Sequence, residues 1–206
     1  MASRSGPGTP KRETYRHGDL RNALIGAGVE LAREGGPDAV VLREATRRVG
    51  VVPNAAYRHF ADRRALLAAV RQAALAELAA ELEHAAAELD ARARLRALVL
   101  RYLDFAQTQP GLFRVAFTTS DLADTGNEAA AGPGGATAFD QLSAALDELA
   151  ESGALPPERR PGAEYVVWSA VHGLSVLLID GPLRGLLPVE AQEAGERLLD
   201  SIERGL

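Results

Sequence analysis

The sequence predicts an all-α protein, and three observations carry that prediction. Apolar residues recur at three- and four-residue spacing through most of the chain, the period of a helix with one buried face. β-Branched residues nowhere alternate with polar ones over a strand length. Glycine and proline gather between the periodic runs, where they punctuate elements rather than interrupt them. Hydrophobic residues make up 47% and charged residues 25% of the 206, a globular rather than a disordered composition. That length holds one large domain, or a head of roughly 60 residues on a larger body.

The elements follow in order. Residues 1–14 read as a flexible basic tail. From Asp19 onward Leu20, Ala23, Leu24, Ala27 and Leu31 share a helical face, and Gly35-Gly36-Pro37 is expected to stop the run. A short helix fits Leu42 to Val49 and breaks at Gly50. Pro53 suits the first position of the next helix, which is expected to reach about Phe60. Asp62 is the candidate N-cap of an Ala/Leu-rich helix extending to about Leu89. Another covers Arg92 to Gln107 and ends before Pro110, and Gly111 to Phe117 fits one or two turns. Residues Asp121 to Thr137 carry Gly132-Pro133-Gly134-Gly135 and read as a mobile connection with part of a helix. Helices then fit Phe139 to Glu151, Pro161 to Ile179 and Pro188 to Arg204, with no internal repeat.

Charge divides the chain in two. Through Arg64 there are 12 Lys or Arg against 7 Asp or Glu; beyond it there are 11 against 21. A basic head on an acidic body implies that the head alone meets a polyanion. Cysteine is absent, which excludes disulfides, thiolate metal sites and a cysteine nucleophile. The four histidines lack metal-site spacing, so no metal and no cofactor is expected. No apolar run follows the early basic residues. The longest apolar stretch, Tyr165 to Ile179, contains His172 and falls short of the ~20 residues of a membrane span. The expectation is a cytoplasmic protein without a membrane partner.

The segment from Leu42 to Phe60 is the most informative. A helix, a glycine turn and a second helix form a helix-turn-helix pattern. Leu42, Ala45 and Val49 give the first helix an apolar face, Gly50 permits the turn, and Val51 plugs the angle. Ala56 and Phe60 can face the core while Asn54, Ala55, Arg58 and His59 point elsewhere. Around this pattern stand His17-Gly18-Asp19-Leu20-Arg21, Leu42-Arg43-Glu44, Gly50-Val51, Tyr57-Arg58-His59-Phe60, Asp62-Arg63 and Leu66-Leu67. Together these resemble the DNA-binding head of TetR-type transcriptional repressors over about residues 15–67.

The resemblance implies roles. The helix from Pro53 to His59 would lie in a major groove, with Asn54 offering an amide to a base edge and Ala55 touching a thymine methyl. Arg58 would reach guanine or phosphate. Tyr57, His59 and Arg63 match family positions that hold the DNA backbone, and Arg43 would do the same. Arg4, Lys11, Arg12 and Arg16 would add nonspecific attraction or reach a minor groove. Tyr57 also admits a reading as a half-buried packing residue, and His59 as one packed against the body. Two positions depart from the family. Val52 stands where Ser or Thr is usual, at a cost of about 1 kcal/mol in capping. Thr46 stands where Ala is usual, its hydroxyl able to bond back to the preceding turn.

The body needs its own explanation. Tyr102, Phe105, Phe113 and Phe117 bunch in one short stretch at helical spacing, which fits either a ligand cavity or a local core. Tyr165 to Ile179 is apolar nearly all round, so one side is expected on its own body and the other on a second chain. Trp168-Ser169-Ala170-Val171-His172-Gly173, with Asp180-Gly181, is similar to a TetR subgroup marked by Trp, His and Gly, as are Tyr102 to Ala106 and Pro110. Family likeness implies that the last two long helices form the dimer interface. Trp168 and His172 stand one turn apart on one helix face and are candidate ligand residues, the alternative being a buried histidine satisfied by a backbone or side-chain partner.

Catalytic patterns fail. Gly173-Leu174-Ser175-Val176-Leu177 lacks the second glycine and the preceding strand of a nucleophile elbow. Gly132-Pro133-Gly134-Gly135 lacks the lysine of a phosphate loop. Ser169, His172 and Asp180 lack oxyanion donors, and Glu81 and Glu83 diverge on one helix. No enzyme is expected. The expectation is a homodimeric regulator with a basic tail (1–14), a helix-turn-helix head (15–64) and a ligand-binding and dimerisation body (65–206). Its partners would be a double-stranded DNA operator, a second copy and an unknown small-molecule effector. The alternative is a constitutive DNA-binding dimer without an effector.

Overall fold

A computed structural model describes residues 17–87, 89–118 and 128–205. Among these every regular element is a helix, with no strand. The basic tail residues Arg4, Lys11, Arg12 and Arg16 lie outside them, as do residues 121–127 of the connection expected over Asp121 to Thr137; its glycine-rich part is described, and Gly134 donates its N–H to the Glu83 carboxylate at 3.0 Å.

Helix α1 (His17–Ala39) is interrupted where the sequence expects it to stop. Gly36 takes φ 68° and ψ -160°, which ends the regular helix, and a separate short turn follows from Pro37 to Ala39. Leu24 and Leu31 are buried on its inner face. Helix α2 (Leu42–Val49) ends at Gly50, whose φ of 75° makes the tight turn that a side chain would strain. Helix α3 (Pro53–Ala56) is shorter than expected. The backbone passes into turns after Ala56, and His59 and Phe60 both donate their N–H to the Ala56 carbonyl, at 2.9 Å each.

Helix α4 (Arg63–Ala86) opens at Asp62, whose carboxylate accepts the Ala65 N–H at 2.8 Å. It runs from the helix-turn-helix into the rest of the molecule and packs on α1, on α5 (Ala91–Thr108) and on α6 (Pro110–Phe117). Arg33 of α1 grips Glu77 of α4 at 2.5 and 2.6 Å. A 3-10 turn at Glu128–Ala130 precedes α7 (Ala138–Glu151). The start of α7 is set by a capping box: Asp140 donates its N–H to the Thr137 hydroxyl, and Thr137 returns its own to the Asp140 carboxylate. Helices α8 (Ala163–Ile179) and α9 (Pro188–Gly205) complete the bundle around α5. One continuous apolar core joins Leu24 and Phe60 at one end to Leu199 and Ile202 at the other.

Candidate nucleic-acid interface and aromatic site

The helix-turn-helix buries what its sequence pattern asks it to bury. Leu42, Ala45, Ala56 and Phe60 are inside, and the guanidinium of Arg21 lies 5.4 Å from the centroid of the Phe60 ring. Thr46 is buried, its hydroxyl donating to the Arg43 carbonyl at 2.8 Å, so the departure from alanine is absorbed locally. Val52 occupies the N-cap of α3 without a capping bond and is 70% exposed. Pro53, Asn54 and Arg58 are exposed, Tyr57 is 57% exposed, and Ala55 and His59 are half-buried. Arg43 is exposed on α2.

A concavity of about 520 Å³ lies between α2 and the first turn of α3, lined by Val41, Arg43, Glu44, Thr46, Arg47, Val51 and Pro53. The bond from Arg47 holds the Glu44 carboxyl below the usual carboxylate range. Arg63 is placed differently from its neighbours. It donates from Nε to the Val40 carbonyl at 2.9 Å and from Nη2 to the Pro37 carbonyl at 2.6 Å, clasping the end of α1.

Deeper in the molecule, α5, α6 and α8 bring five of the six aromatic candidates together. Tyr102 meets Phe113, Phe117 and Trp168 at centroid distances of 5.6, 6.0 and 5.4 Å. His172 stacks on Phe113 at 5.4 Å and lies 4.8 Å from Phe117. Phe105 is fully buried but stands outside these ring contacts. The Tyr102 hydroxyl and His172 Nδ1 are 2.8 Å apart. Burial pushes the phenol well above its usual pKa and the imidazole below its own, so both are neutral near pH 7. The buried phenol needs an acceptor. We therefore assign Tyr102 as donor to Nδ1, with the His172 proton on Nε2.

An apolar cavity of about 20 Å³ beside this cluster is lined by Leu82, Leu98, Val99, Tyr102, Ala138, Leu142, Val167, Trp168 and Val171. Through Leu98 it adjoins a more polar cavity of about 340 Å³ that includes Glu83, Arg94, Asp140 and Gln141. On the far side, Arg114 of α6 holds Asp180, just past α8, with bonds of 3.0 and 2.6 Å.

Residues 24–70 match the family described as bacterial regulatory proteins, tetR family, and residues 95–202 match the tetracyclin repressor-like C-terminal domain. The chain belongs to the TetR family. TetR proteins are DNA-binding transcription regulators rather than enzymes, and they act as dimers with small-molecule ligands.

Solved structures repeat the fold. A Rhodococcus sp. RHA1 protein of unknown function is 28% identical with a TM-score of 0.74, the match covering 95% of this chain and 99% of that one. A Bacillus subtilis transcriptional regulator, FadR, in complex with stearoyl-CoA is 15% identical with a TM-score of 0.68, over 90% and 98%. A TetR variant from Acinetobacter baumannii AYE in complex with minocycline is 24% identical with a TM-score of 0.62, over 89% and 94%. No curated protein is matched at a significant level. No helix among the described residues is long and apolar enough to cross a membrane.

Within this TetR chain two features escape the sequence. Phe139 extends the aromatic cluster, 5.6 Å from Trp168 and 5.7 Å from Tyr165. Its place as an opening residue of α7 marks a helix start and gives no sign of its neighbours. Glu44 and Arg47 share the concavity with Arg43, a grouping that their spacing of three on α2 could have signalled.

Proposed function

We propose that this chain is a repressor that binds a near-palindromic operator as a dimer and is released when a small, largely apolar effector occupies the aromatic site. Residues 15–64 serve as the DNA head and 65–206 as the ligand-binding and dimerisation body. Asn54, Ala55 and Arg58 read bases from the helix opened by Pro53, while Arg43, Tyr57, His59 and Arg63 hold the backbone. Tyr102, Phe105, Phe113, Phe117, Trp168 and His172 form the effector site. The Trp168, His172 and Gly173 pattern supports assigning the body to the Trp-His-Gly subgroup, and the cell interior is where the protein would meet its operator.

The observation that carries this reading is the double duty of α6. Its Phe113 and Phe117 belong to the aromatic cluster, while its first turn abuts α1 of the head. A ligand that favours a different seat for α6 therefore shifts the heads as well, by as much as its affinity differs between the two states. The α4 helix, anchored in both parts, is the lever. The small cavity supports the second reading, a constitutive dimer whose aromatic cluster is simply core.

Selection of bound duplexes from a random pool tests the operator, with Tyr57→Ala in parallel. An inverted repeat that the variant loses is the expected result. A ligand panel read by thermal stabilisation then separates the two readings. Phe117→Leu is expected to weaken the ligand response several-fold with operator binding intact. Equal loss of both would end the division of labour.

A further inference from the structure

Two adjacent arginines on α2 are used differently, although both face Glu44, with Arg48 Nε 3.8 Å from its Oε1. Arg48 turns back to α1, with Nη1 and Nη2 donating to the Glu34 carboxylate at 3.0 and 2.5 Å. Arg47 stays over the concavity beside Arg43 and Pro53. It donates from Nε at 2.9 Å and from Nη2 at 2.5 Å to the two carboxylate oxygens of Glu44, one turn back on the same helix. Even so, its side chain remains 71% exposed. A guanidinium carries five N–H donors in one plane. The carboxylate takes two, and the others project outward at fixed angles.

That arrangement is odd for a face that meets a polyanion. A bare carboxylate there repels phosphate. An exposed arginine without a partner also loses its rotamer freedom when it captures one. Pairing removes both costs, because the carboxylate is neutralised and the fork is already oriented. Favouring the first-turn dipole of α2 would require only Glu44, not a two-pronged bond from a residue that stays in solvent.

We propose that Arg47 is a further DNA-phosphate contact and that Glu44 is its positioning residue. The proposal rests on the DNA-binding reading of α2 and α3. The outward N–H groups of Arg47 meet a backbone phosphate while Glu44 keeps the guanidinium plane in place. The contact contributes affinity and register, and no base information.

The test uses the full chain, measured by fluorescence anisotropy between 50 and 200 mM salt. The probes are a duplex recovered by the wild-type protein and a shuffled duplex of equal composition. Arg47→Ala is expected to make the slope of log affinity against log salt shallower by about 0.9 for each Arg47 engaged, on both duplexes. Glu44→Gln is expected to weaken binding about threefold, although it removes a negative charge. Circular dichroism melting checks that both variants fold.

An unchanged slope in Arg47→Ala overturns the contact. Equal or tighter binding by Glu44→Gln overturns the positioning role and makes Glu44 a neutral or repulsive neighbour. Phosphate contacts are read on any duplex. A protein that enriched no inverted repeat would therefore refute the operator reading while the shuffled duplex still decided for or against Arg47.

Discussion

The bond between Tyr102 and His172 joins residues 70 apart in sequence and ties α5 to α8 inside the aromatic cluster. It also sets a pH dependence. An unfolded imidazole takes up its proton near pH 6.5, whereas burial lowers the pKa of the folded His172 below that value. Between the two values the unfolded chain binds more protons, so stability rises with pH. The contribution is complete above about pH 6.5 and is lost as pH falls through the folded pKa. We expect the Tm advantage of the wild type over His172→Gln to shrink from pH 7.5 to pH 5; parallel Tm–pH curves would show that His172 titrates normally. Single residues are legible in the sequence where their partners are near. Asp62 caps α4, and Thr46 bonds back within α2, as their positions imply. They are not legible where the partner is remote. Nothing around Arg63 announces that Pro37 and Val40 will take its guanidinium.

Elements are legible through their periodicity, and their ends through capping chemistry. The run at Leu42–Val49 is recovered whole because Gly50 follows it with the required positive φ. The recognition segment is misjudged because apolar spacing continues to Phe60 while the regular helix closes at Ala56. The role of α6 is hidden in its composition and appears only in its packing. A Cβ added to Gly111 would lie 2.1 Å from the Ala32 carbonyl oxygen and 2.9 Å from that of Arg33. These are backbone atoms at the end of α1 and cannot swing aside as a side chain would. Gly111→Ala must therefore lift the first turn of α6 off α1. Overpacking of this kind costs about 1–3 kcal/mol. Denaturant melts should show that loss. A variant as stable as the wild type would mean that the joint between α6 and α1 is loose enough to absorb a methyl group. In that case α6 could not transmit a small displacement to the head.

At the scale of the whole molecule, the sequence marks α8 as apolar nearly all round, and one side of it remains uncovered in the folded chain. Val167, Val171, Ser175 and Leu178 are buried, while Val166 is 59% exposed and Tyr165, Val176 and Leu177 are exposed beside it. The middle of this face is small: Ser169 is exposed, and a Cβ on Gly173 would meet nothing within 4 Å. Gly195 of α9 shows the contrast, since a Cβ there would lie 2.7 Å from Leu103 of the same chain. The open centre on α8 leaves room for a second helix. The expected partnership of α8 and α9 is uneven, however. The exposed side of α9 carries charged residues such as Glu193 and Arg197, and its uncovered apolar residues gather at its start, in Leu187 and Val189. The dimer should therefore depend most on α8. By two-fold symmetry Val166→Asp places two carboxylates in the interface, each without a partner. An unpaired buried charge costs several kcal/mol, so the self-association constant should weaken by about a thousandfold or more. Sedimentation equilibrium at micromolar protein should find a dimer for the wild type and a monomer for Val166→Asp, with helical content unchanged. Duplex binding should fall with it, because two linked heads gain from effective concentration and one does not. If the variant still sediments as a dimer, the two copies meet elsewhere, and the spacing of their heads is set by a surface other than α8.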